Sequence, residues 1–332
     1  MRLLFLLLLA ACVPTKRDPV DTGADLDSGA DTDTPVDTDT GGDTDTAPQL
    51  DGMTVTWDPM DGDTLSLTTR QTVRFTVVAH YDDLTSVDVT AGATFASSDE
   101  GVLKFYTPGV GQPLDGGAVD IVVTPNLREG EDRLVLPVTV TVIAAVPGDF
   151  SLNEILADPA STADANGDSV FDAVEDEFLE ITNASDVTVD MSGVSIWDEA
   201  LLVPRHTFPE GTRLRAGEAL VVFGGGDTSA LSAPFVTFSA AANDDVGLRY
   251  GLALNNEGDR PSLRSPAGDE LATAPYGDAG GADAIDDASL VLSPEVFGAD
   301  YTHHRYVPGS IGDQSPGTFA DGSPFPGPDG RY

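Results

Sequence analysis

Cysteine is almost absent: Cys12 is the single one in 332 residues, so no disulfide can close within the chain. Lysine is nearly as scarce, represented only by Lys16 and Lys104, and 16 Lys and Arg stand against 56 Asp and Glu for a net charge of −40. So acidic a surface repels phosphate backbones and excludes nucleic-acid binding through a basic patch. The apolar run Leu3 to Leu9 falls far short of the ~20 residues that a helix needs to cross a bilayer core. Sustained 3.6-residue periodicity is missing, which argues against a helical fold. The motifs GxSxG, HExxH and GxxxxGK are missing too, and with them the common routes to serine hydrolysis, zinc proteolysis and phosphate cradling.

What is present begins at the N-terminus. One cation, Arg2, precedes the apolar run, and the small residues Ala10 and Ala11 lead to Cys12. This order of charged start, apolar middle and small-residue exit predicts a signal peptide over residues 1–11. The tetrad Leu9, Ala10, Ala11 and Cys12 resembles the lipobox of bacterial lipoproteins, which implies cleavage before Cys12 and lipidation of its thiol. Val13 after the cysteine, by the same resemblance, points to the outer membrane. Several acyl chains, at about 0.8 kcal/mol per buried CH₂, hold a chain stably on a bilayer. From Cys12 to Leu50 follows an acidic linker that repeats Asp-Thr-Asp-Thr every six residues from Asp31 and has no aromatic residue. With little to bury, it is expected to remain disordered, its ten aspartates from Asp18 to Asp45 keeping it extended.

Residues 51–146 read as short strands. Val73, Phe75, Val77, Ala79 and Tyr81 alternate with polar neighbours, as do Val119, Ile121 and Val123, and Leu134, Leu136, Val138, Val140 and Val142. Period-two alternation broken by Gly, Pro and Asp predicts a half-buried antiparallel sheet. Pro137 is expected at an edge or bulge, because it cannot donate to a ladder. "LSLTTRQTVRFTVVAHYDD" followed by "VDVTAGATFASSDEGVLKF" resembles a group 2 bacterial Ig-like domain. Asp88, Val89 and Thr90 match its DVT, Phe95 stands for its Trp, and Ser97, Ser98 and Asp99 match its turn. The resemblance implies a spacer or adhesive module.

The joint "IAAVPGDF" opens a second predicted domain over 147–328, again punctuated by Gly and Pro. Its strand candidates are "FSLNEIL", "EFLEITN", "VDMSGVSIWD", "EALVVFG", "GLRYGLALN" and "RPSLRS…DELATAPYG". Asn153 and Glu154, then Asp176, Glu177, Phe178 and Glu180, then Asn183, Ser192, Gly193, Trp197 and Gly217, and last "SPGTF", resemble the lamin-tail domain, with Met191 and Val194 departing from its usual Leu and Trp. The resemblance spans about 150–326 and implies an Ig-like sandwich without enzymatic activity. Trp197 is expected in its core. Glu154, Glu177 and Glu180 are harder to place, since carboxylates on paired strands repel unless a cation or an arginine is shared.

One stretch carries metal-like spacing. Asp164, Asn166, Asp168, Val170 (through its carbonyl), Asp172 and Glu175 stand at positions 1, 3, 5, 7, 9 and 12 of a calcium-loop pattern, with Phe171 at its apolar eighth position. All-oxygen donors with no Cys or His nearby suit Ca²⁺ rather than zinc or copper. Asp158, Asp176 and Glu177 are reserve donors. Ser169 stands where that pattern has glycine, and a strand rather than a helix follows, so a solvated acidic loop is the competing interpretation. Elsewhere, "FGGGD" (Phe223 to Asp227) follows a strand with no helix in sight, which argues against a phosphate site. His206, His303 and His304, with Asp300 near the last two, form the only catalytic-looking set and are the basis of an alternative, a metal-dependent phosphoesterase. Neighbours on a strand face opposite ways, so His303 and His304 are not expected to converge.

The chain is thus expected to be all-β: two Ig-like β-sandwich domains in tandem after a signal peptide and a disordered Asp/Thr-rich linker. As a function it implies a non-enzymatic, lipid-anchored binding, adhesion or scaffolding protein, with Ca²⁺ as candidate cofactor. Its expected partners are a membrane, through Cys12, and an envelope or extracellular protein or glycan.

Overall fold

The computed structural model describes residues 48–58, 65–127, 133–198, 203–231, 236–239, 251–283 and 287–326. Cys12, the predicted signal peptide and most of the predicted linker lie outside them. The described residues are almost wholly strand and turn, folded as two β-sandwiches in tandem.

The N-terminal sandwich runs through nine strands: β1 (Leu50–Asp58), β2 (Leu65–Thr68), β3 (Val73–Tyr81), β4 (Ser86–Asp88), β5 (Thr94–Ser97), β6 (Leu103–Thr107), β7 (Val110–Pro113), β8 (Gly117–Thr124) and β9 (Leu134–Thr141). One sheet has the order β1-β3-β7-β6, with β4 also on β3, and the other β2-β9-β8-β5. Alternation decides the core: Val73, Phe75, Val77 and Ala79 of β3, Val119, Ile121 and Val123 of β8, and Val138 and Val140 of β9 are all buried. Tyr81, expected among them, is only half-buried at the strand end. Phe95 packs with Phe75 and Phe105 at ring separations of 5.7 and 5.3 Å. Asp88 accepts from both the N–H and the hydroxyl of Thr90, whose Oγ1 in turn accepts from Val77 N, so this DVT ties a turn to the sheet. Pro137 lies opposite Asp120 on an interior strand, and pairing of β9 with β2 begins one residue later, at Val138. The missing donor therefore falls where the second ladder has not yet started.

The C-terminal sandwich begins with β10 (Ile143–Ala144) and β11 (Phe150–Leu156), then β12 (Phe178–Asn183), β13 (Val189–Asp190), β14 (Ser195–Asp198), β15 (Val203–Thr207), β16 (Arg213–Leu214), β17 (Ala219–Phe223) and β18 (Val236–Ser239). It closes with β19 (Gly258–Asp259), β20 (Pro261–Arg264), β21 (Glu270–Thr273), β22 (Tyr276–Gly277), β23 (Leu290–Ser293) and β24 (Asp300–His303). A six-stranded sheet, β18-β17-β12-β11-β23-β24, faces a four-stranded one, β15-β14-β20-β21. Between them lie Leu152, Ile155, Leu179, Ile181, Leu220 and Val222 from the first, and Ile196, Leu263 and Leu271 from the second. Two expectations fail here. Of "GLRYGLALN", Gly247 to Tyr250 lie outside the described residues and Gly251 to Asn255 form no strand. Trp197 is not in the core: its strand neighbours Ile196 and Asp198 are buried, while the indole lies half-exposed under the Arg264 guanidinium, 4.8 Å from ring centre to Cζ.

Strands β12 and β17 are buried along their whole length, which an ordinary two-layer sandwich does not produce. The outer face of the six-stranded sheet is covered by irregular chain at both ends. At one end Leu156, Phe178, Val221 and Phe223 pack with Ala165 and Leu231, from the acidic loop and the segment after β17. At the other, Ala219 and Val296 pack with Phe325 and Phe319 of the C-terminal strap.

The sandwiches are fastened to each other. Strand β10 follows β9 after a single residue and pairs in parallel with β13, so almost no slack chain separates the two sandwiches. Thr188 N donates to Leu114 O at 2.9 Å, Arg70 pairs with the buried Asp149, and Arg215 reaches Asp115 at 3.2 Å.

Candidate functional site

The predicted calcium loop is one of the two covers on the sheet. Its carboxylates are spent mainly on its own backbone. Asp164 Oδ2 accepts from Ser169 N (2.9 Å), Asp168 Oδ1 from Val170 N (2.7 Å), and Asp172 Oδ1 from Val174 N and Glu175 N (2.9 and 3.0 Å). Asn166 Oδ1 takes Asp168 N at 3.1 Å. The buried Asp176, assigned only a reserve part from sequence, is the hub: one oxygen accepts from Ala165 N and Asn166 N, the other from Asp172 N. Gly167 and Ser169 both take left-handed backbone, at φ +78° and +70°, so a serine does occupy the conformation for which the pattern uses glycine. Among the described residues no three carboxylate, imidazole or thiol side chains converge on a point that could hold an ion. Negative charge is nonetheless concentrated. Burial first, then Asp172, Asp168 and Asp176, raise the Glu175 carboxyl above its usual range, and Asp164 Oδ1 is buried without a hydrogen bond. Val170 and Phe171 project into solvent at the tip.

The glycine run after β17 exists for this loop. Gly224 N donates to Glu177 O and Gly225 N to Glu175 O, while a Cβ on Gly224 would overlap the Val174 carbonyl and one on Gly226 the Asn166 amide. A single-turn 3-10 helix, Thr228–Ala230, does follow, capped by Asp227, but the glycines face protein rather than open space.

The three glutamates resolve in two ways, and Glu177, expected on a strand, lies one residue before β12. Glu154 and Glu180 stand directly opposite each other on β11 and β12, both fully buried. Glu154 accepts from Ser289 Oγ (2.5 Å), Ser315 N (2.9 Å) and Ser315 Oγ (2.8 Å). Glu180 accepts from Asn153 Nδ2 (2.8 Å) and Gly317 N (2.7 Å). Burial pushes the Glu154 carboxyl up to about 7, and burial together with the charge of Glu154 drives Glu180 well above the usual carboxylate range. Glu177 belongs to another group. Burial raises it to about 8 against the opposing pull of the Leu254 and Ala253 N–H groups and Arg205. That arginine is itself buried and paired with Asp198 at 2.5 Å. The role of "SPGTF" was not legible from sequence; its Ser315 and Gly317 join Ser289 and Asn153 as donors to the glutamate pair. Asn183 behaves as a turn-former, its Oδ1 accepting from Ser185 N and Oγ and its Nδ2 donating to Val187 O and Leu214 O.

The histidines form no site together. His303 ends β24 with its ring edge-on to Tyr306 at 5.4 Å, whereas His304 opens a 3-10 turn, is fully buried, and holds Gly312 O through Nδ1 at 3.0 Å. His206 lies on β15, in the four-stranded sheet, with its ring against Phe208 just past the strand end, and burial depresses its pKa to about 4.

The family model of the Lamin Tail Domain matches residues 144–278. No curated protein matches the chain. Among solved structures, domains 5–6 of the S-layer protein SbsC align at 11% identity and a TM-score of 0.22, over 72% of this chain and 99% of that one. Domains 4–9 of the same protein align at 12% and 0.22, over 72% and 32%. A DUF4876 family protein from Bacteroides thetaiotaomicron aligns at 10% and 0.24, over 58% and 54%. Scores this low give those likenesses no weight for function.

Proposed function

We propose that the chain, with its lamin-tail match over 144–278, is a bacterial lipoprotein that holds a non-enzymatic binding or scaffolding arm out from the outer membrane. In this proposal Cys12 carries the lipid, the Asp/Thr linker is the spacer, and the N-terminal sandwich is a group 2 Ig-like stalk. The lamin-tail sandwich is the outward head, which meets an envelope or extracellular protein or glycan. The observation that carries it is the use of polar side chains. The motif residues Asn153, Glu154, Glu180 and Asn183 all point inward and secure backbone, as expected of a scaffold. The parallel pairing of β10 with β13 supports an arm rather than two free beads.

Calcium is a finer part of the same proposal. Charge repulsion around Glu175 and the unsatisfied Asp164 Oδ1 favour a cation at the loop, where it would order an insertion rather than drive a switch.

Metabolic labelling with a fatty acid tests the anchor: label is expected on the native chain and lost in Cys12→Ala. Native protein without label overturns the anchoring, and label retained by Cys12→Ala overturns its assignment to that thiol.

A further inference from the structure

Residues 311–326 contain no strand longer than an isolated bridge between Thr318 and Pro324, yet they lie across the centre of a six-stranded sheet. Three carboxyl groups hold the middle of this segment, and Ser289 and His304 hold Asp313 O and Gly312 O at its start. Ser315 N and Oγ bind Glu154, Gly317 N binds Glu180, and Ala320 N binds Glu295 at 3.1 Å. Asn153 links the set, donating to Glu180 and accepting Val296 N at 2.7 Å. Apolar attachment is confined to one end, where Phe319 and Phe325 meet 4.3 Å apart over Val296 and Ala219. Two ionised carboxylates on directly opposed strand positions, shielded from water, repel strongly.

We propose that the C-terminal strap is a proton-held latch, closed over the sheet while the Glu154–Glu180 pair shares at least one proton and released when both are ionised. The proposal is independent of the anchor and of calcium.

From β11 and β12 the pair faces only itself, since its partners across the neighbouring strands are Val291 on β23 and Val221 on β17. The turn after β23 brings Glu295, itself raised by burial and by Asp321. From the strap comes Asp313, whose side chain pairs with Arg305 at the surface. The buried His304, whose N–H meets Ser289 O, is pushed by burial toward its neutral form. The charges that act on the two glutamates are thus one another's and that of Glu295, all negative.

Hydrogen exchange by mass spectrometry on the full chain, at pD 5.5 and 8.5 and corrected for intrinsic rates, tests this. Protection of peptides within 313–326 is expected to fall at least about tenfold between the two, the change per pH unit when one proton is released. Peptides of β8 and β9 should keep theirs, and those of β12 should lose clearly less than the strap. Glu180→Gln, with the shape of the protonated acid and no charge, should keep the strap protected at pD 8.5. Glu154→Gln should do the same and replaces it if the first variant fails to fold. Native strap protection that changes less than twofold, loss spread equally over β12, or variants that open as the native chain does would each overturn the latch.

Discussion

Gly226 lies directly beneath Asn166, so close that the space for a Cβ is already taken by the side-chain amide and by Asp168 Oδ2. This contact seats the acidic loop on the sheet. Gly226 also sits at φ +75°, where a side chain is strained regardless of room. Gly226→Ala is therefore expected to cost about 2–4 kcal/mol in denaturant unfolding. Gly211→Ala, at φ +84° with open space, should cost only about 1 kcal/mol. Equal costs would show that steric seating contributes nothing.

Stability should depend on pH in a direction opposite to that of a chain held by salt bridges. Glu154 and Glu177 have folded-state values near 7 and 8, above the ordinary 4.5. Between 4.5 and those values the folded state binds more protons than the unfolded, so stability falls as pH rises. The contribution is fully present below about 4.5 and lost through about 8. Thermal melts should show the C-terminal sandwich weakening by roughly 5–10 °C from pH 5 to pH 8.5. Glu177→Gln should flatten that slope. Below about pH 4 the trend reverses as the turn aspartates with lowered values, Asp83, Asp88 and Asp321 among them, take up protons.

The two arginines at the domain junction should differ in weight. Arg70→Ala leaves the buried Asp149 without its cation, although Val146 N still donates to it. A loss of about 2–3 kcal/mol follows. Arg215 is half-exposed toward Asp115, and Arg215→Ala should lose under about 1 kcal/mol. Denaturant curves decide, and Arg70→Ala is also expected to split a single transition into two.

For the loop, calcium at ~1–5 mM should raise the melting temperature of the full chain by a few degrees, and magnesium should do less. Asp168→Asn with Asp172→Asn should abolish the rise. A titration without heat, together with an unchanged melt, rules the cation out.

How much of this was legible in the sequence varies with the physics involved. Strands β3, β8, β9, β11 and β12 stood out, because alternating or wholly apolar runs reflect burial directly. Two-residue strands such as β10 and β16 leave no such trace, being fixed by neighbours distant in sequence. Trp197 misled for a related reason: its size suggests a core, but it is the companion of an arginine 67 positions away. Glu154 and Glu180 were noticed as anomalous. Their donors were not, since a serine and a glycine N–H some 140–160 residues downstream carry no pattern of their own. The loop's spacing was readable, whereas the hub position of Asp176 depends on its burial.

The parallel register of β2 with β9, from Leu65 opposite Val138 to Thr68 opposite Thr141, joins strands near the two ends of the N-terminal sandwich. Tension applied between the termini runs along both strands, so their hydrogen bonds are loaded together in shear instead of peeling one by one. A chain gripped at one end and dragged at the other would therefore meet a stiff mechanical element in the N-terminal sandwich.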